Sequence, residues 1–97
     1  MKQSPTEYIL ALARSFPCLG PKLRWWNPAS FDAEEFHDMI GGWSTSERHA
    51  AHFILTVWNP GYARERGWTF DAVEAVSSLD PVNRMPVLKW MARPYYP

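Results

Sequence analysis

A single cysteine, Cys18, occurs in the 97 residues, so the chain can neither close a disulfide on itself nor cage zinc with cysteines. Its fold must come from an ordinary hydrophobic core, and a lone thiol fits a reducing compartment, so the expected location is cytoplasmic. No run approaches the ~20 apolar residues of a membrane span. The apolar stretch from Tyr8 to Ala13 is too short for an export signal and is closed in by Glu7 and Arg14. Neither sign of charge dominates, since ten Lys and Arg balance ten Asp and Glu. That balance removes the global attraction to nucleic acid or to an acidic membrane surface, and no membrane partner is expected. Asn-Gly and Asp-Gly hairpin turns are missing, which argues against a substantial sheet. So are a phosphate-cradling glycine loop and a G-x-S-x-G nucleophile elbow.

Aromatic residues are plentiful: six Trp, five Phe and four Tyr, each able to bury ~150–250 Å². A chain of this length buries roughly 65% of its unfolded surface, enough for one core. The punctuation is helical. Ser4-Pro5-Thr6-Glu7 offers a capping box with proline at the first helical position, followed by Tyr8, Ile9, Leu12, Ala13 and Phe16 at helical spacing. Ser30 is placed to cap a second helix over Phe31 to Ile40, which Gly41-Gly42 ends. Ser44 and Glu47 form a capping box for a central helix that Asn59-Pro60-Gly61 terminates. Thr69 is placed to cap a fourth helix with Val73, Val76 and Leu79 on one face and Trp68 stapled onto Val73. Asp80-Pro81 opens a fifth that reaches about Ala92, with Pro86 bending or restarting it. Residues 59–68 have room for one helical turn. The expectation is an all-α, single-domain bundle of four to five short helices over residues 1–97. A Pro-rich extended connection (17–29) and a non-helical C-terminal tail (93–97) complete it.

His49 and His52, three residues apart behind Glu47, raise the question of a metal or catalytic site. With Ala50 at zero on a wheel of 100° per residue, Phe53, Ile54, Val57 and Trp58 fall within about 80° of it. They mark the buried stripe. Arg48, His49, His52 and Thr56 fall on the opposite side, and no carboxylate of the same helix joins the imidazoles. The spacing also differs from H-E-x-x-H, so a solvated polar face is expected, and His37 is expected to flank its own helix as a boundary residue. No helix N-terminus follows Cys18 to lower its pKa. Glu34, Glu35 and Asp38 share a helix face opposite Phe36, Met39 and Ile40, which predicts a solvated acidic surface. These readings point away from an enzyme, and no cofactor or metal is expected.

Charge comes in alternating blocks. Residues 1–26 carry four basic side chains and one acidic, and residues 27–47 five acidic and none basic. The remainder runs basic through Trp68, acidic through Asp80 and basic to the end. Adjacent Trp25 and Trp26 beside Arg24, in a segment kept from helix by prolines 21 and 28, cannot both enter one core if extended. Tyr95 and Tyr96, set between prolines, either fold back or offer a docking strip. Arg24, Trp25, Trp26, Tyr95 and Tyr96 are therefore the candidate interaction surface. Arg64, Arg66 and Trp68 form a candidate basic and aromatic patch for single-stranded nucleic acid. Seven of the ten basic residues are arginine, which with Trp and Tyr is the side-chain set enriched at binding hot spots. The function expected is a non-catalytic protein-interaction or regulatory module that binds a protein partner or itself. The alternative is a nucleic-acid-binding accessory protein of weak affinity.

Overall fold

Helix starts fall where short polar side chains accept the first free backbone N–H groups. The structure, a computed structural model, describes residues 5–20 and 32–95. Helix α1 spans Pro5–Arg14. Asp32 caps α2, Ala33–Met39, which tightens into a 3-10 turn over Ile40–Gly42. The central helix α3, Thr45–Trp58, starts on a complete capping box. Ser44 Oγ accepts from the Glu47 backbone at 3.3 Å, and the Glu47 carboxylate accepts from the Ser44 backbone at 2.9 Å. Asn59 both ends α3 and caps α4, Pro60–Arg66. Gly67 closes α4 with φ +74, a left-handed conformation that costs glycine little and a side chain about 1 kcal/mol. Asp71 caps α5, Ala72–Ser78, and Asp80 caps α6, Pro81–Ala92. Among the described residues every regular element is a helix.

Backbones approach most closely where α3 meets α1, α4 and α5. Phe53, Ile54 and Val57 are buried there as the wheel predicts, beside Ile9, Leu10 and Ala13 of α1. Phe53 is the junction. Its ring meets Phe16 at 5.9 Å, Phe70 at 5.2 Å and Trp90 at 5.5 Å between centroids, each edge to face. It thereby joins α3 to the turn after α1, to the strap before α5 and to α6. Polar ties fix the same elements. Ser46 Oγ donates to the Ser78 carbonyl at 2.7 Å, and Thr56 Oγ1 accepts from the Phe70 backbone at 3.1 Å. Asn83, the buried polar residue of α6, accepts from the Cys18 backbone at 2.9 Å and donates to Asp80 Oδ1 at 2.8 Å. Hydrogen bonds from Asn83, backbone first and then side chain, hold the Asp80 carboxyl below its usual range.

Several expectations need correction. Residues 60–66 form a full helix rather than one turn, so six α-helices are present among the described residues. The α5 cap is Asp71, not Thr69, and Val73 stands 84% exposed, so Trp68 does not staple onto it. The helix instead turns Ala75 and Leu79 inward, because an alanine lets its backbone lie close to α3. Pro86 lies within α6, which reaches Ala92 as expected. Of the Pro-rich connection, Pro17–Leu19 form a turn closed by hydrogen bonds from Leu19 and Gly20 to the Phe16 carbonyl. Asp32, not Ser30, caps α2, which starts at Ala33 rather than Phe31. Residues 21–29 and the cap Ser4 lie outside the described residues.

Phe53→Ala removes the ring that three elements share. The expected cost is about 3–5 kcal/mol in urea unfolding, with loss of cooperativity if α6 detaches first.

Candidate functional site

Two surfaces stand out: the polar side of α3 and the outer side of α6. On α3, Arg48 is exposed as the wheel predicts, but His49 and His52 are half-buried. The reason is that α2 and the chain around Trp68 pack over that side. The His37 ring lies nearly parallel to Trp68 at 4.4 Å and to His52 at 6.2 Å. His37 is thus the boundary residue expected. Burial, with the neighbouring charges of His37, His49 and Arg48 in support, holds His52 below its ordinary pKa. A shallow cleft of about 230 Å³ lies beside it, lined by Thr45, Arg48, His49, His52 and Glu74. Here α5 supplies a carboxylate, Glu74, where no carboxylate of α3 lines the cleft. Even so, no group of three His, Cys, Asp or Glu among the described residues is placed to hold a metal ion. Cys18 is remote from this cleft in the fold, in the turn tied to Asn83.

The candidate patch on α4 is occupied by its own fold. Trp68 is 4% exposed, with the Arg66 guanidinium 5.0 Å from its ring and the Tyr62 edge at 5.6 Å. Arg66 also pairs with Glu34 at 2.7 Å, and the Tyr62 hydroxyl donates to the other Glu34 oxygen. That bond to Glu34, ahead of burial, raises the Tyr62 phenol above its usual pKa. Trp68 keeps no open face for a base, while Arg64 remains exposed. Of the three carboxylates expected in solvent, Glu34 is half-buried against α4, whereas Glu35 and Asp38 are exposed.

The outer side of α6 is apolar. With Asn83 at zero on the wheel, the buried Pro86 and Val87 and the half-buried Trp90 fall within about 60°. Pro81, Met85, Leu88 and Ala92 fall within about 40° of the opposite pole, and all four are exposed. Val82 and Lys89 flank them on one side, Met91 and Arg84 on the other. The exposed large apolar residues Val73, Val76, Val82, Met85, Leu88 and Met91 keep between 47% and 84% of their surface in water. Grooves run along both flanks. The one between α6 and α5 has about 170 Å³ and an apolar lining broken by Arg84, whose Nε donates to the Leu79 carbonyl at 2.7 Å. The one between α6 and α1 is larger, about 520 Å³, with Tyr8, Leu12, Val82 and Met85 in its walls. Burial is the larger influence raising the Tyr8 phenol above its usual pKa.

Of the residues singled out in the sequence, Tyr95 packs against Tyr8 of α1 and Trp90 of α6. Its ring edge meets Tyr8 at 4.7 Å, and its carbonyl accepts the Trp90 indole N–H at 3.0 Å. The tail from Arg93 to Tyr95 therefore folds back, non-helical as expected. Arg24, Trp25, Trp26 and Tyr96 lie outside the described residues. Sequence reasoning missed the α6 face, because residues 81–92 carry apolar side chains at nearly every wheel position and so give no stripe. The usable signal was that surplus itself: a helix apolar all round needs cover on all sides.

No helix among the described residues is long and apolar enough to cross a membrane. Comparison with known protein families, with curated proteins and with solved structures finds no match.

His52 gives a pH dependence with a definite sign. Its pKa is lowered in the fold, so the unfolded chain binds the proton more readily. The fold has its full stability above the unfolded value of 6.5 and loses some as pH falls through that value toward the folded one. Thermal melts should show Tm falling below about pH 6.5, before the carboxylates titrate, and His52→Gln should flatten the fall.

Proposed function

We propose that the chain is a non-catalytic protein-interaction module whose contact surface is the outer side of α6 with the exposed edge of α5. The observation that carries this reading is the exposed pole of α6, where Pro81, Met85, Leu88 and Ala92 stand together without a charge. Val73 and Val76 extend the apolar area across the α5 groove. Contiguous exposed apolar area of several hundred Å² is unusual on a monomer and marks contact sites. Two methionines in it, Met85 and Met91, suit such a surface, since their unbranched side chains repack against varied shapes. The histidine cleft gathers Thr45, Arg48, His49, His52 and Glu74, with no metal-holding group among the described residues. The same reading keeps the chain in the cytoplasm, supported by its single cysteine.

Leu88→Glu tests the surface directly. The site is 55% exposed, so the change should alter stability by no more than about 0.5–1 kcal/mol. Immobilised wild-type chain should retain a discrete protein from lysate of the source cell, with or without nuclease. Leu88→Glu should lose it, and Glu65→Lys on the exposed side of α4 should keep it. Capture that vanishes with nuclease would favour the nucleic-acid alternative. Capture that survives Leu88→Glu would remove α6 from the contact.

A further inference from the structure

Granted the contact reading of α6, on which this inference rests, the charges around that surface decide what it can accept. Residues 81–97 contain Arg84, Lys89 and Arg93 and no Asp or Glu. Lys89 and Arg93 line the α1–α6 groove, whose walls hold no carboxylate. Both are exposed, and neither pairs with a carboxylate among the described residues. The contrast with Arg66 is direct, because that arginine is committed to Glu34 and Trp68. The groove thus has an apolar interior and two uncommitted cations along one wall.

Its walls are helical on both sides. Val82, Met85 and Lys89 follow at spacings of three and four along α6, a reach of about 10 Å. Tyr8, Leu12 and Ser15 repeat that spacing along α1 and the turn after it. A groove between two helices of this reach accepts apolar side chains projecting from one face of a third helix. We propose that the α1–α6 groove binds an amphipathic helix of a partner protein, with apolar residues between Tyr8, Leu12, Val82 and Met85 and flanking Asp or Glu on Lys89 and Arg93.

Charge separates this occupant from its rivals. A second copy offering the same groove would set Lys89 and Arg93 against their own counterparts, with no carboxylate in the groove walls to intervene. Like charges brought together in this way oppose association. A nucleic acid would satisfy the two cations and leave the apolar walls in water. Only an acidic and apolar ligand satisfies both.

The test uses the full chain and three fluorescently labelled synthetic helical peptides, read by anisotropy. Two share Leu and Phe at positions i, i+3, i+4 and i+7 and differ in carrying Glu or Lys elsewhere. The third keeps the Glu residues and replaces Leu and Phe with Gln. The Glu–Leu/Phe peptide should bind about tenfold tighter than either other peptide, with affinity falling as salt rises. The double variant Lys89→Glu/Arg93→Glu, at exposed positions, should melt like wild type and prefer the Lys peptide. Arg64→Glu on α4 should leave the preference unchanged.

Equal binding of the Glu and Lys peptides, both lost on Met85→Glu in the groove wall, would keep α6 as the contact and overturn the acidic partner. Equal binding of the two acidic peptides would overturn the role of the groove's apolar interior. Absence of peptide binding overturns the inference as well. If that absence came with a concentration-dependent dimer broken by Leu88→Glu, the surface would belong to a second copy. If it came with neither dimer nor lysate capture, the contact reading would fall too.

Discussion

The edge-to-face contact between Phe53 and Trp90, 5.5 Å between centroids, determines where α6 can lie. Phe53 is rooted in the most buried helix, and its other contacts, Phe16 and Phe70, come from segments that flank α1 and α5. With Trp90 drawn to that ring, the wheel of α6 is fixed. Asn83, Pro86 and Val87 face inward, and Met85 and Leu88 must face water. The Trp90 indole N–H then finds the Tyr95 carbonyl, which brings the tail back to Tyr8. One aromatic junction therefore sets both the interior and the apolar exterior.

The Asn83 hydrogen bonds make that orientation specific. A hydrophobic helix could rotate to bury another side at little cost, since α6 has apolar residues on every side. A side-chain amide that must meet both the Cys18 backbone and Asp80 cannot follow such a rotation. Leaving the buried Asn83 amide unpaired would cost about 1–3 kcal/mol. The polar pair thus selects one of several apolar packings and holds the same face outward each time. Charge is arranged consistently with this. Glu34 neutralises Arg66 between α2 and α4, while the cations of α6 border apolar surface. We read that asymmetry as a surface kept for a partner.

Much of the fold was legible because local chemistry and tertiary packing agree. Ser44 with Glu47, Asn59 before Pro60, and Asp80 before Pro81 each satisfy free N–H groups at the boundary the sequence indicated. The central stripe Phe53, Ile54 and Val57 was legible because α3 has one strongly apolar side. Where two solutions competed, packing decided. Asp71 displaced Thr69 as a cap, and Ala75 displaced Val73 from the interior because the smaller residue permits a closer approach. The half-burial of His52 depended on α2 arriving over α3, a contact between residues far apart in the chain. Of the candidate residues, Tyr95 packs against Tyr8, and Trp68 was drawn into packing beneath Arg66. The α6 face stayed hidden because a helix without a stripe does not declare which side is out.

The central claim is that the outer side of α6 is covered by another protein when the chain is at work. Site-specific photocrosslinking in the source cell tests it most directly. A photoreactive residue is placed at Leu88, and in a second variant at Glu65 on the exposed side of α4. The account predicts a discrete crosslinked protein from position 88 and none from position 65. Crosslinks from position 65 alone, or none from position 88 in chain that folds normally, would contradict it.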